Sequence, residues 1–218
     1  MKKLFTLIAA IAMTMTINAQ EISFGDGPVA NADLPEAWTV GNVKLALTND
    51  GKPAIDSNKA YFGTADNFKS FATRLKTGGK SSSKRFLTLT VPSKGTVKIA
   101  ARTGKNSDNT RTLVLTQNDK ELVNKVLDEA DAIMVGEGDD AKKVYPYVTA
   151  DVEAGDIVIT FPVNSINFYA IEFVAKTTGI HNAEAKTTNN KTYNLAGQRV
   201  GKNYKGVVVA NGKKFVQK

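Results

Sequence analysis

Between residues 85 and 115 the chain reads RFLTLTVPSKGTVKIAARTGKNSDNTRTLVL, and apolar and polar side chains alternate along three stretches of it. Leu87, Leu89 and Val91 alternate with Phe86, Thr88 and Thr90. Val97, Ile99 and Ala101 alternate with Lys98, Ala100 and Arg102. Arg111, Leu113 and Leu115 share one face. A period of two places each set on one side of a sheet, and turn-forming residues at 92–95 and 104–109 separate the stretches. The pattern predicts three consecutive strands paired as an antiparallel meander with one buried face.

The same grammar extends in both directions. Residues 38–47 (WTVGNVKLAL) read as one strand, with Val43, Leu45 and Leu47 on one face and Asn49-Asp50-Gly51 closing it as a hairpin-type turn. Short apolar segments follow at 60–62 and 68–75, then a polar loop at 76–83. Residues 121–132 break the rule: Leu122, Val123, Val126, Leu127 and Ala130 sit at helical spacing, and Glu121 with Lys125 forms an i,i+4 pair. This predicts a short helix across the sheet edge, with a strand as the alternative. Strands resume at 143–152, where Pro146 marks an edge or a bulge, at 156–161, and at 166–174, which is apolar on both faces and therefore central. Roughly eight to ten short strands predict an all-β fold, a jelly-roll-like β-sandwich. At the end of the chain, residues 207–210, Asn211-Gly212 and 213–216 spell a strand, a type I′ turn and a strand, a short C-terminal β-hairpin tail. A unit of that size is marginal alone.

The first residues do not fit this grammar. Lys2 and Lys3 precede an apolar run at 4–15 and the small-residue site Ile17-Asn18-Ala19, the layout of a signal peptide over 1–19 with the mature chain starting at Gln20. The run is short of the roughly 20 apolar residues a membrane span needs, so no transmembrane span is expected in the mature chain. The expected location is secreted or cell-surface, after export through the periplasm. The domain plan is a signal peptide at 1–19, a β-sandwich at 20–175, a polar linker at 176–191 and the hairpin tail at 192–218. There is no cysteine, which excludes disulfides, thiol nucleophiles, Cys-ligated zinc and lipid attachment at the cleavage site.

Charge changes the picture only when it is divided. The formal net charge is +8, but residues 176–218 carry nine Lys and Arg against the single Glu184, and residues 21–175 carry 18 basic against 20 acidic side chains. The basic character belongs to the tail, and no basic stripe interleaved with aromatics runs through the body, so nucleic acid is not an expected partner.

The only histidine, His181, lies in the linker, which removes a Ser-His-Asp or His-metal site from the body. Glu36, Glu153, Asp156 and Glu172 are scattered acids of the kind any sandwich carries. No catalytic residue, cofactor or metal is assigned, and the chain is expected not to be an enzyme. Asp128, Glu129, Asp131, Glu137, Asp139 and Asp140 form an acidic cluster without the D-x-D-x-D-G spacing of a calcium loop, and read as a solvated loop. Arg111 shares parity with apolar Leu113 and Leu115. It is either a rim arginine with a packed stem or a ligand-facing group able to grip a uronic acid carboxylate, with Lys76 and Arg102 beside Gly-containing loops able to join it. Among Trp38, Tyr61, Tyr145, Tyr147 and Tyr169, the pair Tyr145 and Tyr147 flanking Pro146 is the best candidate for a sugar-stacking platform. The candidate ligand-binding set is Lys76, Arg102, Arg111, Tyr145 and Tyr147.

Two resemblances arise. The tail, YNLAGQRVGKNYKGVVVANGKKFVQK, resembles the C-terminal tail domain of secreted Bacteroidetes proteins. Tyr193, Asn194, Leu195, Gly197, Gln198 and Val200 match its first block, and Lys205 to Val209 (KGVVV), Asn211 to Lys214 (NGKK) and Lys218 its second. It looks like a short relative of the type IX secretion sorting domain, which implies secretion machinery as a partner. The body, through TRLKTGG at 73–79, residues 86–102, NTRTL at 109–113 and residues 166–173, is similar to β-sandwich accessory domains of polysaccharide lyases in the same bacteria. That resemblance implies non-catalytic carbohydrate binding with a polysaccharide as partner, and the basic candidates Lys76, Arg102 and Arg111 make an acidic plant or host polysaccharide the expected one. The alternative is a structural or adhesive cell-surface protein that binds a protein partner.

Overall fold

The computed structural model describes residues 19–176, 192–201, 203–210 and 213–217. The expected signal peptide and linker lie almost wholly outside the described residues, as does the Asn211-Gly212 turn. The chain divides into two compact units, one ending at Lys176 and the other beginning at Thr177.

The first unit is an all-β sandwich of two sheets. Sheet I runs in the order β10 (Ile133–Val135), β11 (Lys142–Tyr145), β4 (Ala54–Gly63), β5 (Phe68–Lys76), β14 (Ile166–Ala175), β7 (Gly95–Thr103), β12 (Val148–Val152), and β1 (Gln20–Ser23) also pairs with β14. Sheet II runs β2 (Ala37–Val40), β3 (Val43–Thr48), β6 (Phe86–Val91), β13 (Gly155–Thr160), β8 (Thr112–Gln117), β9 (Lys120–Val126). Leu45, Leu87, Leu89, Ile99, Leu113, Ile157, Ile159 and Phe168 are buried between the sheets, each removed from water at a gain of about 1.5–3 kcal/mol.

The alternation along 85–115 identified faces correctly but not partners. β6, β7 and β8 are not a meander: β6 pairs with β3 and β13, β7 with β14 and β12, and β8 with β13 and β9. Successive strands cross from one sheet to the other, the wrap of a jelly roll. Residues 92–95 and 104–109 are therefore arches between sheets. Residues 38–47 are two strands, not one. Val40 pairs with Val43 around Gly41, whose φ of 57° suits a residue without a Cβ.

Residues 120–126 form a strand in place of the expected helix, and the 3-10 turn Glu129–Asp131 follows. Asn118 and Asp119, at φ 51° and 59°, link β8 to β9 as a two-residue hairpin turn with Gln117 opposite Lys120, the backbone of type I′. A register shift between Leu115 and Thr116 lets Leu122 and Val123 both lean on the core. That bulge produced the helix-like spacing.

The expected strand at 143–152 is broken at Pro146, and its halves join opposite ends of sheet I. Three Cα steps from Tyr145 to Val148 span at most about 11 Å. Five strand spacings separate β11 from β12 in the sheet order, about 24 Å if the sheet were flat. Sheet I must therefore curl until its ends approach each other. The hollow of that curl is filled by a second buried cluster, Phe62, Phe71, Tyr145 and Tyr169 with Ala60, Ala100 and Ala170. This explains why β14 is apolar on both faces: Phe168 and Ile171 face the sandwich interior, while Tyr169 and Ala170 face the hollow.

The second unit is a small sheet in the order β16 (Arg199–Val200), β15 (Thr192–Asn194), β17 (Gly206–Ala210), β18 (Lys213–Gln217). β17 and β18 pair antiparallel with Ala210 opposite Lys213. The expected hairpin thus belongs to a four-stranded sheet.

Candidate functional site

Phe62 on β4 lies at the centre of the hollow. Its ring stands 5.1 Å from that of Tyr169, 5.8 Å from Tyr145, 5.9 Å from Tyr147 and 6.0 Å from Phe71, all tilted or edge-on, the separations at which aromatic pairs attract beyond simple burial. The corner at Pro146 brings Tyr145, the last residue of β11, and Tyr147, just before β12, onto this hub. Tyr145 is 5% exposed, whereas Tyr147 is only half-buried.

Beside this corner a cleft of about 360 Å³ opens between β7, the edge strand β9, the 3-10 turn and residues 145–149. Arg102, Lys125, Asp128, Glu129, Asp131, Tyr147 and Thr149 give its wall hydrogen-bonding groups, and Val123, Leu127 and Pro146 its apolar surface. Concave apolar surface with a few convergent polar groups is the usual form of a small-ligand site.

Glu129 organises the polar side. Arg102 donates from Nε at 3.2 Å and from Nη2 at 2.8 Å to Glu129 Oε1. Lys143 Nζ at 2.8 Å and the Tyr145 hydroxyl at 2.6 Å donate to Oε2. Burial pushes the Glu129 pKa up, but hydrogen bonds from Lys143, Tyr145 and Arg102 outweigh it and hold the carboxyl below its ordinary value. Burial, then the bond to Glu129, raises Tyr145 well above a free phenol. The Arg102 guanidinium carbon lies 4.1 Å from the Tyr145 ring centroid, a close cation–π contact. One face of Tyr145 is thus covered by Arg102 and the ring is closed to stacking. Burial, then the neighbouring charges of Glu21 and Glu172, pushes Tyr147 up to about 12, so its hydroxyl stays protonated and able to donate.

The remaining wall charges are accounted for. Lys125 Nζ is 2.7 Å from Asp131 Oδ2. Asp128 Oδ1 accepts from the backbone N–H of Ala130 at 2.9 Å and caps the 3-10 turn.

Of the five residues singled out from the sequence, the structure brings Arg102, Tyr145 and Tyr147 to this cleft. Lys76 faces the same side of sheet I, because Lys76 and Arg102 both pair across Asn167. It lies outside the cleft wall, 3.1 Å from Asp56. Arg111 is elsewhere and 5% exposed. Its Nε donates to Asp108 Oδ2 at 2.7 Å, and its Nη1 to the Ser165 carbonyl at 2.5 Å and hydroxyl at 2.7 Å. It ties the arch after β7 to the segment before β14. Hydrogen bonds from Thr110 and Arg111 lower the Asp108 pKa to about 2. Trp38 packs edge-on to Phe24 at 5.3 Å, and Tyr61 to Phe68 at 5.9 Å.

Sequence reasoning read Glu129 as part of a solvated acidic loop, whereas its side chain is 13% exposed, and it singled out neither Lys143 nor Phe62. Glu129 lies 27 positions from Arg102, and no local pattern joins them. The one available signal was Asp128, two residues before the N–H it caps. Among the described residues no group of three or more His, Cys, Asp or Glu side chains is arranged to hold a metal ion.

The fold and the cleft define an all-β sandwich with a mixed aromatic and polar recess at the edge of its two sheets. No protein-family model matches the chain, and no curated protein does. Among solved structures, a chain described under "The complexity of the Ruminococcus flavefaciens cellulosome reflects an expansion in glycan recognition" is similar at 13% identity and a TM-score of 0.39, over 72% of this chain and 94% of that one. A likeness that shallow carries no argument about ligand or mechanism.

Proposed function

We propose that the chain is a secreted or surface-displayed, non-catalytic carbohydrate-binding β-sandwich whose site is the cleft beside Pro146. The carrying observation is the placement of Tyr147, a half-buried aromatic, on the wall of a 360 Å³ recess beside the charged groups Arg102, Asp128 and Lys125. Sugar rings combine apolar C–H faces with a rim of hydroxyls, and a wall of this composition meets both. The tail, as its resemblance to a sorting domain implies, serves export through secretion machinery.

The expectation of an acidic polysaccharide rested on Lys76, Arg102 and Arg111 acting together. They are in three places, and each has a carboxylate partner, Asp56, Glu129 and Asp108 respectively. The proposal therefore keeps carbohydrate and does not keep a preference for uronic acids. The test is a titration of the full chain with neutral oligosaccharides, followed by Tyr147→Ala. Binding that vanishes in a folded Tyr147→Ala variant supports the reading. Absence of binding to every glycan tried overturns it.

A further inference from the structure

The cleft contains one group that recognises a carboxylate geometrically, the guanidinium of Arg102. An arginine reads a uronic acid by presenting two parallel N–H donors to its two oxygens. In this protein the Nε and Nη2 of that fork both point at Glu129 Oε1, and Nη2 reaches Asn106 Oδ1 at 3.3 Å as well. The guanidinium also lies over the Tyr145 ring at 4.1 Å, so the fork cannot swing to an incoming acid without giving up that contact.

The hold on Glu129 is equally firm from its own side. Lys143 and Tyr145, both on β11, grip its second oxygen, and the side chain is 13% exposed. The other wall cation, Lys125, is paired with Asp131. Counting side chains on the wall, Arg102 and Lys125 face Asp128, Glu129 and Asp131, two positive charges against three negative. Asp128 makes its bond to a neutral backbone N–H. An anionic sugar entering this recess meets a wall on which carboxylates outnumber cations, with the Nε–Nη2 edge of Arg102 already taken. A hydroxyl-bearing neutral sugar meets carboxylate oxygens that accept from it.

Resting on the carbohydrate reading above, we propose that Glu129 determines the charge selectivity of the cleft: by occupying the donor fork of Arg102 it makes the site take neutral saccharides and reject uronic acids. Glu129 acts through Arg102 and is a positioning residue for recognition.

The test is calorimetric titration of the full chain with cellotetraose, xylotetraose and mannotetraose as neutral probes and tetragalacturonate as the acidic one. The wild type is expected to bind at least one neutral probe and to bind tetragalacturonate at least about tenfold more weakly, the cost of one lost charge-assisted pair. Glu129→Gln removes the charge that holds the fork, and is expected to raise tetragalacturonate affinity about tenfold or more, with a gain that disappears in high salt. Should Glu129→Gln fail to fold, the double variant Arg102→Met/Glu129→Leu replaces the pair with apolar groups. It is expected to show no gain in tetragalacturonate affinity over the wild type. A wild type that binds tetragalacturonate as well as the neutral probes overturns the selectivity proposal and leaves carbohydrate binding standing. So does a folded Glu129→Gln variant with unchanged preference, or a double variant that gains tetragalacturonate affinity. Binding of no probe overturns both readings together.

Discussion

Glu129 and Arg111 show how differently two charged residues use burial. Glu129 gathers four donors on two oxygens from β7 and β11. Tyr145→Phe removes one of them and is predicted to cost about 1 kcal/mol in denaturant unfolding. Glu129→Leu strands Arg102 and Lys143 together and is predicted to cost about 2–3 kcal/mol. Arg111 is spent on Asp108 and Ser165, so Arg111→Ala is predicted to lower Tm while leaving saccharide affinity unchanged. A loss of affinity in a folded Arg111→Ala variant would contradict its placement outside the site. Parity with Leu113 and Leu115 correctly put Arg111 on a buried face, yet could not say whether ligand or protein oxygens met it. The two carboxylates also contribute to the response to acid, as do Asp50, Asp56 and Asp151, whose pKa values are lowered by their basic partners. Glu129 and Asp108 have depressed pKa values in the folded chain, so their contribution is complete above the ordinary carboxylate range and is lost as pH falls toward the folded values, about 2 for Asp108. Tm is predicted to hold from neutrality to roughly pH 5 and fall below it, with a shallower acid slope in Asp108→Asn.

At the scale of elements, the β8–β9 hairpin turns on Asn118 and Asp119, both left-handed. Asp119→Gly gives the Asn-Gly pair that such turns favour and is predicted to stabilise by about 0.5 kcal/mol. Replacing both residues with alanine is predicted to destabilise by about 1–2 kcal/mol, read from thermal or denaturant midpoints. Alternation told which residues of β6, β7 and β8 are buried, because period two is a property of one strand and its core. It could not tell which strand lies alongside, because that is decided by the arches at 92–95 and 104–109, which carry no hairpin geometry. The helix expected at 121–132 failed for a related reason: a bulge moves two neighbouring apolar residues to one face, and the resulting spacing imitates a helical stripe. Pro146 signalled a break, but that its two sides close a curled sheet depends on pairings far away in the chain. Arg102, Tyr145 and Tyr147 were singled out by residue type, the arginine for a carboxylate and the tyrosines for stacking, and the fold brings all three to one cleft, where Arg102 is paired and the Tyr145 ring is covered. Glu129 was not, because its role arises only when the strap after β9 crosses to sheet I.

For the whole molecule, the basic excess lies in the tail region while residues 21–175 carry 18 basic against 20 acidic side chains, and the chain forms two compact units. Electrostatics that acted through the net charge of +8 would make ligand binding strongly salt-dependent. Recognition of a neutral saccharide in the cleft is instead predicted to change little between low and high salt. The most direct measurement is calorimetric titration of the full chain and of its Tyr147→Ala variant with the neutral tetrasaccharides, with Tm recorded for both proteins. The account predicts saturable binding by the wild type that is abolished in a variant still folded at the temperature of titration. Binding that survives Tyr147→Ala undiminished would contradict the placement of the site at this cleft, and no binding by the wild type would contradict the function itself.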